Sequence, residues 1–242
     1  MEVAKPSPPP KPVSEIWRPE LVRLPKLTRE RRAFRAFTRG AMKLLAWLCL
    51  CVSVEGLGNL PRRGPAIVVI NHLGDADAPL LLSTLPFAPE ALGKIELYDF
   101  PVLGKLMDWY GVIWLHRGQP DKRALRAALD GLREGRVILI APEGRYTLAG
   151  GLEEGRGGAA FLAFKTGVPI VPIALTGTGN QHVYGELRRL RRARVRLWVG
   201  RPFTLKEQAD RQAAMREGTR QIMERLAELL PVEYRGAYNG KG

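Results

Sequence analysis

Short apolar runs alternate along the middle of the chain with stretches in which apolar positions recur every three or four residues. Strands are therefore predicted at 66–70, 112–115, 137–140, 170–174 and 195–199, with helices between them. The helical spacing is clearest at 121–133, where Ala124, Leu125, Ala128, Leu129 and Leu132 fall on one face, and at 157–166, with Ala160, Phe161 and Phe164. A last helix is predicted over 205–230, carrying Ile222, Leu226 and Leu229, and Pro231 stops it. Strands that are apolar throughout and alternate with helices predict an α/β domain built around a mostly parallel, buried sheet. Pro169 and Pro172 interrupt the stretch Val168 to Ala174 that holds the fourth predicted strand. Proline donates no ladder hydrogen bond, so that strand is expected to be distorted or at an edge.

Ahead of this pattern the chain reads differently. Pro6 to Pro12 favours an extended backbone, and residues 1–28 are expected to form a flexible lead that does not pack. From Thr28 the sequence becomes helix-like, with Arg29, Arg31, Arg32, Arg35 and Arg39 preceding an apolar run from Leu44 to Val52. That run is shorter than the about 20 residues a membrane span needs. Arginines leading into a Trp-containing apolar stretch suit a membrane interface, so residues 29–51 are predicted to form a membrane-interfacial helix. The same stretch could dock on the protein's own core, and both can hold at once. Residues 52–242 form the expected main domain.

The length of 242 residues suits one large domain with appendages, and 45% hydrophobic with 26% charged residues excludes disorder over the whole chain. Charge changes the picture more. With 38 Lys+Arg against 24 Asp+Glu the net charge is +14, which favours polyanionic partners. Neither an RNA-recognition signature nor basic residues interleaved with aromatics appears, so nucleic acid is not expected and an anionic membrane surface is. A basic nucleic-acid- or membrane-binding protein without catalysis is the competing class. Cys49 and Cys51 form no C-x-x-C pair and read as buried apolar thiols, compatible with a reducing compartment. His72, His116 and His182 show no H-x-x-x-H spacing, so no metal is expected.

Candidate chemistry gathers where apolar strands open into polar turns. The first such turn is Asn71-His72-Leu73-Gly74-Asp75-Ala76-Asp77. Carboxyl ends of strands in open α/β sheets are where ligand crevices form. If Asp77 accepts the Nδ1 proton, Nε2 of His72 is left to take a proton from an attacking hydroxyl, a contribution of about 10²- to 10⁴-fold. Asp75 competes as partner. The second turn delivers His116 and Arg117. The guanidinium suits phosphate, whereas His116 has no evident partner and reads as structural. The third is Ala141-Pro142-Glu143-Gly144-Arg145-Tyr146-Thr147, where Glu143 can hold a substrate hydroxyl and Gly144 leaves room for a ligand. Finally, Arg188, Arg189, Arg191, Arg192, Arg194 and Arg196 crowd before Trp198, and on a strand the last three share a face.

The three turns and the stretch Val168 to Ala174 with its two prolines, in this order, resemble the glycerolipid acyltransferase family, whose signature begins N-H-x-x-x-x-D, and most closely its lysophosphatidate (1-acyl-sn-glycerol-3-phosphate) acyltransferase branch. The resemblance implies transfer of a fatty acyl group from acyl-CoA or acyl-carrier protein to lysophosphatidate, at the cytoplasmic face of a membrane. It implies His72 as the base, Asp77 as its orienting partner, Arg117 on the acceptor phosphate, and Glu143 and Gly144 positioning the glycerol. It also implies direct attack without an acyl-enzyme, and no cofactor beyond the acyl donor. No Gly-x-Ser-x-Gly nucleophile elbow is present, in agreement. One departure matters: the third block usually reads Phe-Pro-Glu-Gly-Thr-Arg-Ser, and here Tyr146 stands at the Arg position. Arg145, one place earlier, is a weaker candidate phosphate ligand. Glycerol-3-phosphate or another lysophospholipid therefore stands behind lysophosphatidate as acceptor.

Overall fold

The computed structural model describes residues 10, 13–62, 64–118, 120–148, 150–206 and 210–240. The chain runs α1 (Arg29–Cys49), β1 (Leu50–Glu55), β2 (Ala66–Ile70), α2 (Asp77–Thr84), β3 (Glu90–Lys94), α3 (Leu103–Tyr110), β4 (Ile113–Leu115) and α4 (Lys122–Arg133). There follow β5 (Val137–Ile140), α5 (Gly158–Thr166), β6 (Ile170–Thr176), α6 (Asn180–Arg188), β7 (Ala193–Val199) and α7 (Arg211–Leu229). The strands form one sheet in the order β1-β7-β6-β2-β5-β3-β4. From β6 to β4 the neighbours are parallel, β7 is antiparallel to β6, and β1 is parallel to β7. This is the mostly parallel α/β sheet expected from the sequence.

Every residue of β2 and β6 is buried, because helices cover both faces of the sheet. Ile67 and Val69 face a core completed by α4, α5 and α7, while Val68 and Ile70 face a second core completed by the end of α1, α2 and α6. Successive side chains of one strand thus serve opposite cores, which is why β2 reads as an unbroken apolar run. Each fully buried aliphatic side chain contributes about 1.5–3 kcal/mol.

The structure corrects several expectations. The stretch with two prolines forms β6, which begins just after Pro169 and lies inside the sheet, between β7 and β2, so of the two expectations the edge fails and the distortion holds. Its neighbour absorbs the missing donor: Ile173 pairs with Val199 but Ile170 with Phe203, so β7's continuation carries one residue too many. Pro172 sits at that bulge, where only its carbonyl is engaged, by the Gly200 N–H at 2.8 Å. The apolar run from Leu44 to Val52 changes from helix to strand at Leu50, and on the edge strand β1 Cys51 is exposed rather than buried. α7 begins at Arg211, capped by Asp210, instead of near 205, with 207–209 outside the described residues.

The lead also packs from residue 13 onward; residues 1–9, 11 and 12 lie outside the described residues. Ser14 and Arg117 exchange hydrogen bonds, Ser14 N–H to Arg117 O at 3.0 Å and Arg117 N–H to Ser14 Oγ at 2.7 Å. Trp17 stacks on His116, and Val22 and Leu24 join the core under α4. On α1, Arg31, Arg35 and Arg39 turn inward instead of toward lipid. Arg31 Nη1 bonds Lys26 O at 2.7 Å, Arg39 reaches Leu85 O, and Arg35 forms a buried two-pronged pair with Glu90 at 2.7 and 2.6 Å. Their spacing of four places them on one stripe of the helix, and that stripe is the docking face.

Candidate active site

Asn71 directly follows β2 and is 2% exposed. Its side chain donates to Leu175 O at 2.9 Å and accepts from Leu175 N–H at 2.7 Å. A side-chain amide carries both donor and acceptor groups, as a backbone peptide does, so this side chain continues the ladder to β6 and pins the strand end from which His72 departs. Asp77 opens α2 and is 1% exposed. Its Oδ2 accepts from His72 Nδ1 at 2.7 Å and from the N–H groups of Leu73 and Gly74 at 2.9 and 3.2 Å. A carboxylate only accepts, so the ring hydrogen sits on Nδ1 and Nε2 keeps its lone pair. Position 74 admits only glycine here, since a Cβ would stand 2.4 Å from Asn180 Oδ1 and 2.6 Å from Thr178 O.

The β5–α5 turn closes on the same histidine. Gly144 takes φ +74°, a left-handed conformation open to glycine, and its N–H bonds Ala141 O at 3.0 Å. That turn swings Glu143, 1% exposed, beneath His72. Glu143 accepts from His72 N–H at 3.3 Å and from Glu153 N–H at 2.8 Å. Thr147 N–H donates to His72 O at 2.8 Å. Both backbone groups of His72 are thus held by the third block, and the geometry seen for Glu143 is that of a group fixing this turn.

Arg145 is spoken for: its Nε pairs with Glu153 at 2.7 Å, each side chain 9% exposed. Tyr146 turns the other way, its hydroxyl donating to Asp75 Oδ1 at 2.8 Å and its ring standing 4.2 Å from the His72 ring at 70°. Asp75 Oδ2 accepts from Tyr184 OH at 2.9 Å and Asn180 Nδ2 at 3.0 Å. Asp75 is therefore the hub of a separate network, and of the two aspartates it is Asp77 that pairs with His72. Burial, reinforced by the hydrogen bond to Asp75, pushes the Tyr146 phenol well above its ordinary pKa, so it stays a donor.

Arg117 follows β4 at the same end of the sheet but at its far edge. Three strand spacings, about 14 Å, separate β4 from β2. Its guanidinium is 17% exposed and lies 3.7 Å from Glu96. Its Nε has no hydrogen-bond partner among the described residues. His116, expected to lack a partner, has two: Nδ1 bonds Asp121 Oδ2 at 2.9 Å and Nε2 accepts from Arg18 N–H at 3.0 Å. This pair repeats the five-residue spacing of His72 and Asp77, but with both ring nitrogens consumed the imidazole is structural. In the basic cluster Arg192, Arg194 and Arg196 are exposed and share a face, as the strand reading implied.

Sequence reasoning passed over Asn71, Asn180 and Tyr184. Asn71 adjoined the motif and could have been weighed as a strand-end clamp, whereas Asn180 and Tyr184 reach Asp75 from more than 100 residues away.

The acyltransferase family model matches residues 51–176, a span that includes His72, Asp77, Arg117 and Glu143. The chain belongs to the acyltransferase family. Among relatives, it is 34% identical over 155 residues to a chloroplastic 1-acyl-sn-glycerol-3-phosphate acyltransferase of Arabidopsis thaliana, covering 63% of this chain and 43% of that one. It is 30% identical over 145 residues to a 1-acyl-sn-glycerol-3-phosphate acyltransferase of Borreliella burgdorferi, covering 59% and 58%. It is 33% identical over 135 residues to a lyso-ornithine lipid O-acyltransferase of Pseudomonas aeruginosa, covering 54% and 51%. The matched part is thus about half the length of these acyltransferases. The crystal structure of a 1-acyl-sn-glycerophosphate acyltransferase from Thermotoga maritima superposes with a TM-score of 0.63 at 26% identity, over 84% of each chain.

Proposed function

We propose that this acyltransferase moves a fatty acyl group from an acyl thioester, acyl-CoA or acyl-carrier protein, to the free hydroxyl of lysophosphatidate, giving phosphatidate. The observation that carries this reading is the 2.7 Å bond from His72 Nδ1 to the buried Asp77 at the carboxyl end of the central strand β2. The names of the Arabidopsis, Borreliella and Thermotoga acyltransferases supply the substrate class. His72 Nε2 takes the proton of the acceptor hydroxyl as its oxygen attacks the thioester carbonyl, and Asp77 stabilises the imidazolium that forms. Collapse of the tetrahedral adduct breaks the C–S bond, and the departing thiolate takes the proton back from His72. No acyl-enzyme is needed. Arg117 holds the acceptor phosphate, and Glu143 and Gly144 keep the third block at the right distance from the glycerol. The protein works from an anionic membrane surface, where its acceptor resides.

A second acceptor class, a lysolipid other than lysophosphatidate, is favoured by one observation: neither Arg145, paired with Glu153, nor the uncharged Tyr146 presents the cation usual in the third block. The lyso-ornithine lipid acyltransferase among the relatives agrees with this. The deciding experiment supplies purified protein in detergent with acyl-CoA and a panel of acceptors, following free CoA and lipid product. Lysophosphatidate should give phosphatidate, and His72→Ala should abolish turnover without changing the melting temperature. Turnover that survives in His72→Ala overturns the mechanism, and preference for a phosphate-free lysolipid overturns the acceptor.

A further inference from the structure

With Arg145 tied to Glu153 and Tyr146 bonded to Asp75, the third block itself offers no available positive charge, yet a cation stands beside it. The backbone of Arg156 is bonded to that turn, its N–H donating to Pro142 O at 2.8 Å. Three residues earlier, Glu153 N–H donates to Glu143 at 2.8 Å, so 153–156 runs as a second layer along 142–144. The half-buried Arg156 side chain lies over Gly144: a Cβ at 144 would be 3.3 Å from its Nε and 3.4 Å from its Cδ. Glycine there, at φ +74°, keeps open the space next to the guanidinium. Among the described residues no carboxylate stands within 4.0 Å of that guanidinium, although the chain is rich in paired arginines such as Arg35, Arg136, Arg145 and Arg220.

A guanidinium partly withdrawn from water, with no carboxylate partner among the described residues, is arranged to receive an anion, and its planar fork matches phosphate. We infer that Arg156 is a substrate-binding residue that holds the phosphate of the acceptor above Gly144, taking over the charge that Tyr146 does not supply. This rests on the proposed lysophosphatidate acylation. It also gives Gly144 a specific use, as the gap through which a phosphate oxygen reaches the cation. Arg117 and Arg156 then bracket the acceptor from two different turns at the carboxyl end of the sheet.

The acceptor is one source of phosphate and the donor another, and steady-state kinetics with lysophosphatidate and acyl-CoA separate them. Arg156→Gln should raise the KM for lysophosphatidate about 10-fold or more while kcat changes less than about threefold, the signature of lost ground-state binding. Arg156→Lys, a point charge in place of a fork, should fall between wild type and Arg156→Gln and guards against a folding defect in the latter. Inorganic phosphate should compete with lysophosphatidate in the wild type and lose potency in Arg156→Gln. A KM for lysophosphatidate within twofold of wild type overturns the inference, as does a rise confined to the KM for acyl-CoA, which would assign the cation to the donor. If the wild type fails to acylate lysophosphatidate at all, it is the functional reading that falls, before any variant is measured.

Discussion

At the scale of single residues, the site separates two aspartates that the sequence could not. Asp77 and Asp75 are both close enough along the chain to serve His72, and spacing alone left them in competition. The structure gives Asp77 to the imidazole and Asp75 to two tyrosine hydroxyls and an asparagine. Asp77→Asn should therefore be far worse than its small change in shape suggests. An amide in place of Oδ2 can present a donor to Nδ1, favouring the tautomer in which Nε2 carries the hydrogen and cannot act as base. A drop in kcat of about 10²- to 10⁴-fold, with the acceptor KM near wild type, is expected. Asp75→Asn leaves the His72–Asp77 pair in place and loosens only the tyrosine network, so its loss of kcat should be at least an order of magnitude smaller. Equal losses in the two variants, measured in parallel, would remove the distinction between the two carboxylates.

Among elements, the turn from β4 into α4 shows what a second His-x-x-x-x-Asp stretch does when it is walled in. Asp121 caps α4 through the N–H groups of Arg123 and Ala124 at 3.0 and 3.2 Å while its other oxygen holds His116. Burial raises the Asp121 carboxyl, but the bonds from His116 and the α4 N–H groups outweigh it, so its pKa lies below the ordinary Asp value. A depressed folded pKa stabilises fully above the unfolded value of about 3.9, and the stabilisation is lost as pH falls through the folded value. Asp121→Asn keeps a competent cap but loses the charge, and should cost about 1–2 kcal/mol at pH 7 by urea unfolding. The difference from wild type should shrink as pH drops below about 4; a gap that stays constant down to pH 2 would show that the charge is not what stabilises this turn. The same comparison shows where the sequence was legible. Strands held inside the sheet between two neighbours, such as β2 and β5, announced themselves as apolar runs, and His72 and Glu143 sat in the turns where those runs ended. β3, Glu90–Lys94, carries Ala, Gly and Lys and reads as nothing in particular; its conformation comes from pairing with β5 and β4. The partner of His116 was legible in principle, since its spacing copies that of His72. Arg156 was not, because its place over Gly144 depends on how 153–156 folds back on the turn.

For the whole molecule, strand direction decides which elements lie at the same end of the sheet as His72. Leu50 pairs with Ala193, and Thr176 with Arg196, so the start of β1 and the start of β7 lie beyond the carboxyl end of β6, on the side of the sheet where His72 departs from β2. The C-terminal turns of α1 therefore arrive at the site end, carrying exposed Leu44, Trp47 and Leu48. The loop before β7 arrives there too, with Leu190 97% exposed between Arg188, Arg189, Arg191 and Arg192. α3 begins near the same end with exposed Phe100, Val102, Leu103 and Leu106, and it is held to α1 by the edge-on contact of Trp109 with Phe34 at 5.7 Å. No helix among the described residues is long and apolar enough to cross a membrane. Apolar side chains flanked by arginines instead suit an interfacial contact in which the rings and aliphatics enter the headgroup region and the cations meet lipid phosphate. Deleting α1 cannot test this, because Arg35 and its buried pair with Glu90 tie the helix to the fold. Surface substitutions can. Trp47→Asp with Leu48→Asp should weaken flotation with vesicles containing phosphatidylglycerol at least about 10-fold while leaving the melting temperature and turnover of detergent-dispersed acceptor near wild type. Arg189→Gln with Arg191→Gln should weaken binding at low salt and matter less as screening rises. Val102→Asp with Leu106→Asp separates one anchoring element from two: unchanged flotation confines the contact to α1 and the β7 loop, and a loss comparable to that of the α1 variant extends it across α3, seating the sheet's carboxyl end, and with it His72, against the bilayer from both flanks.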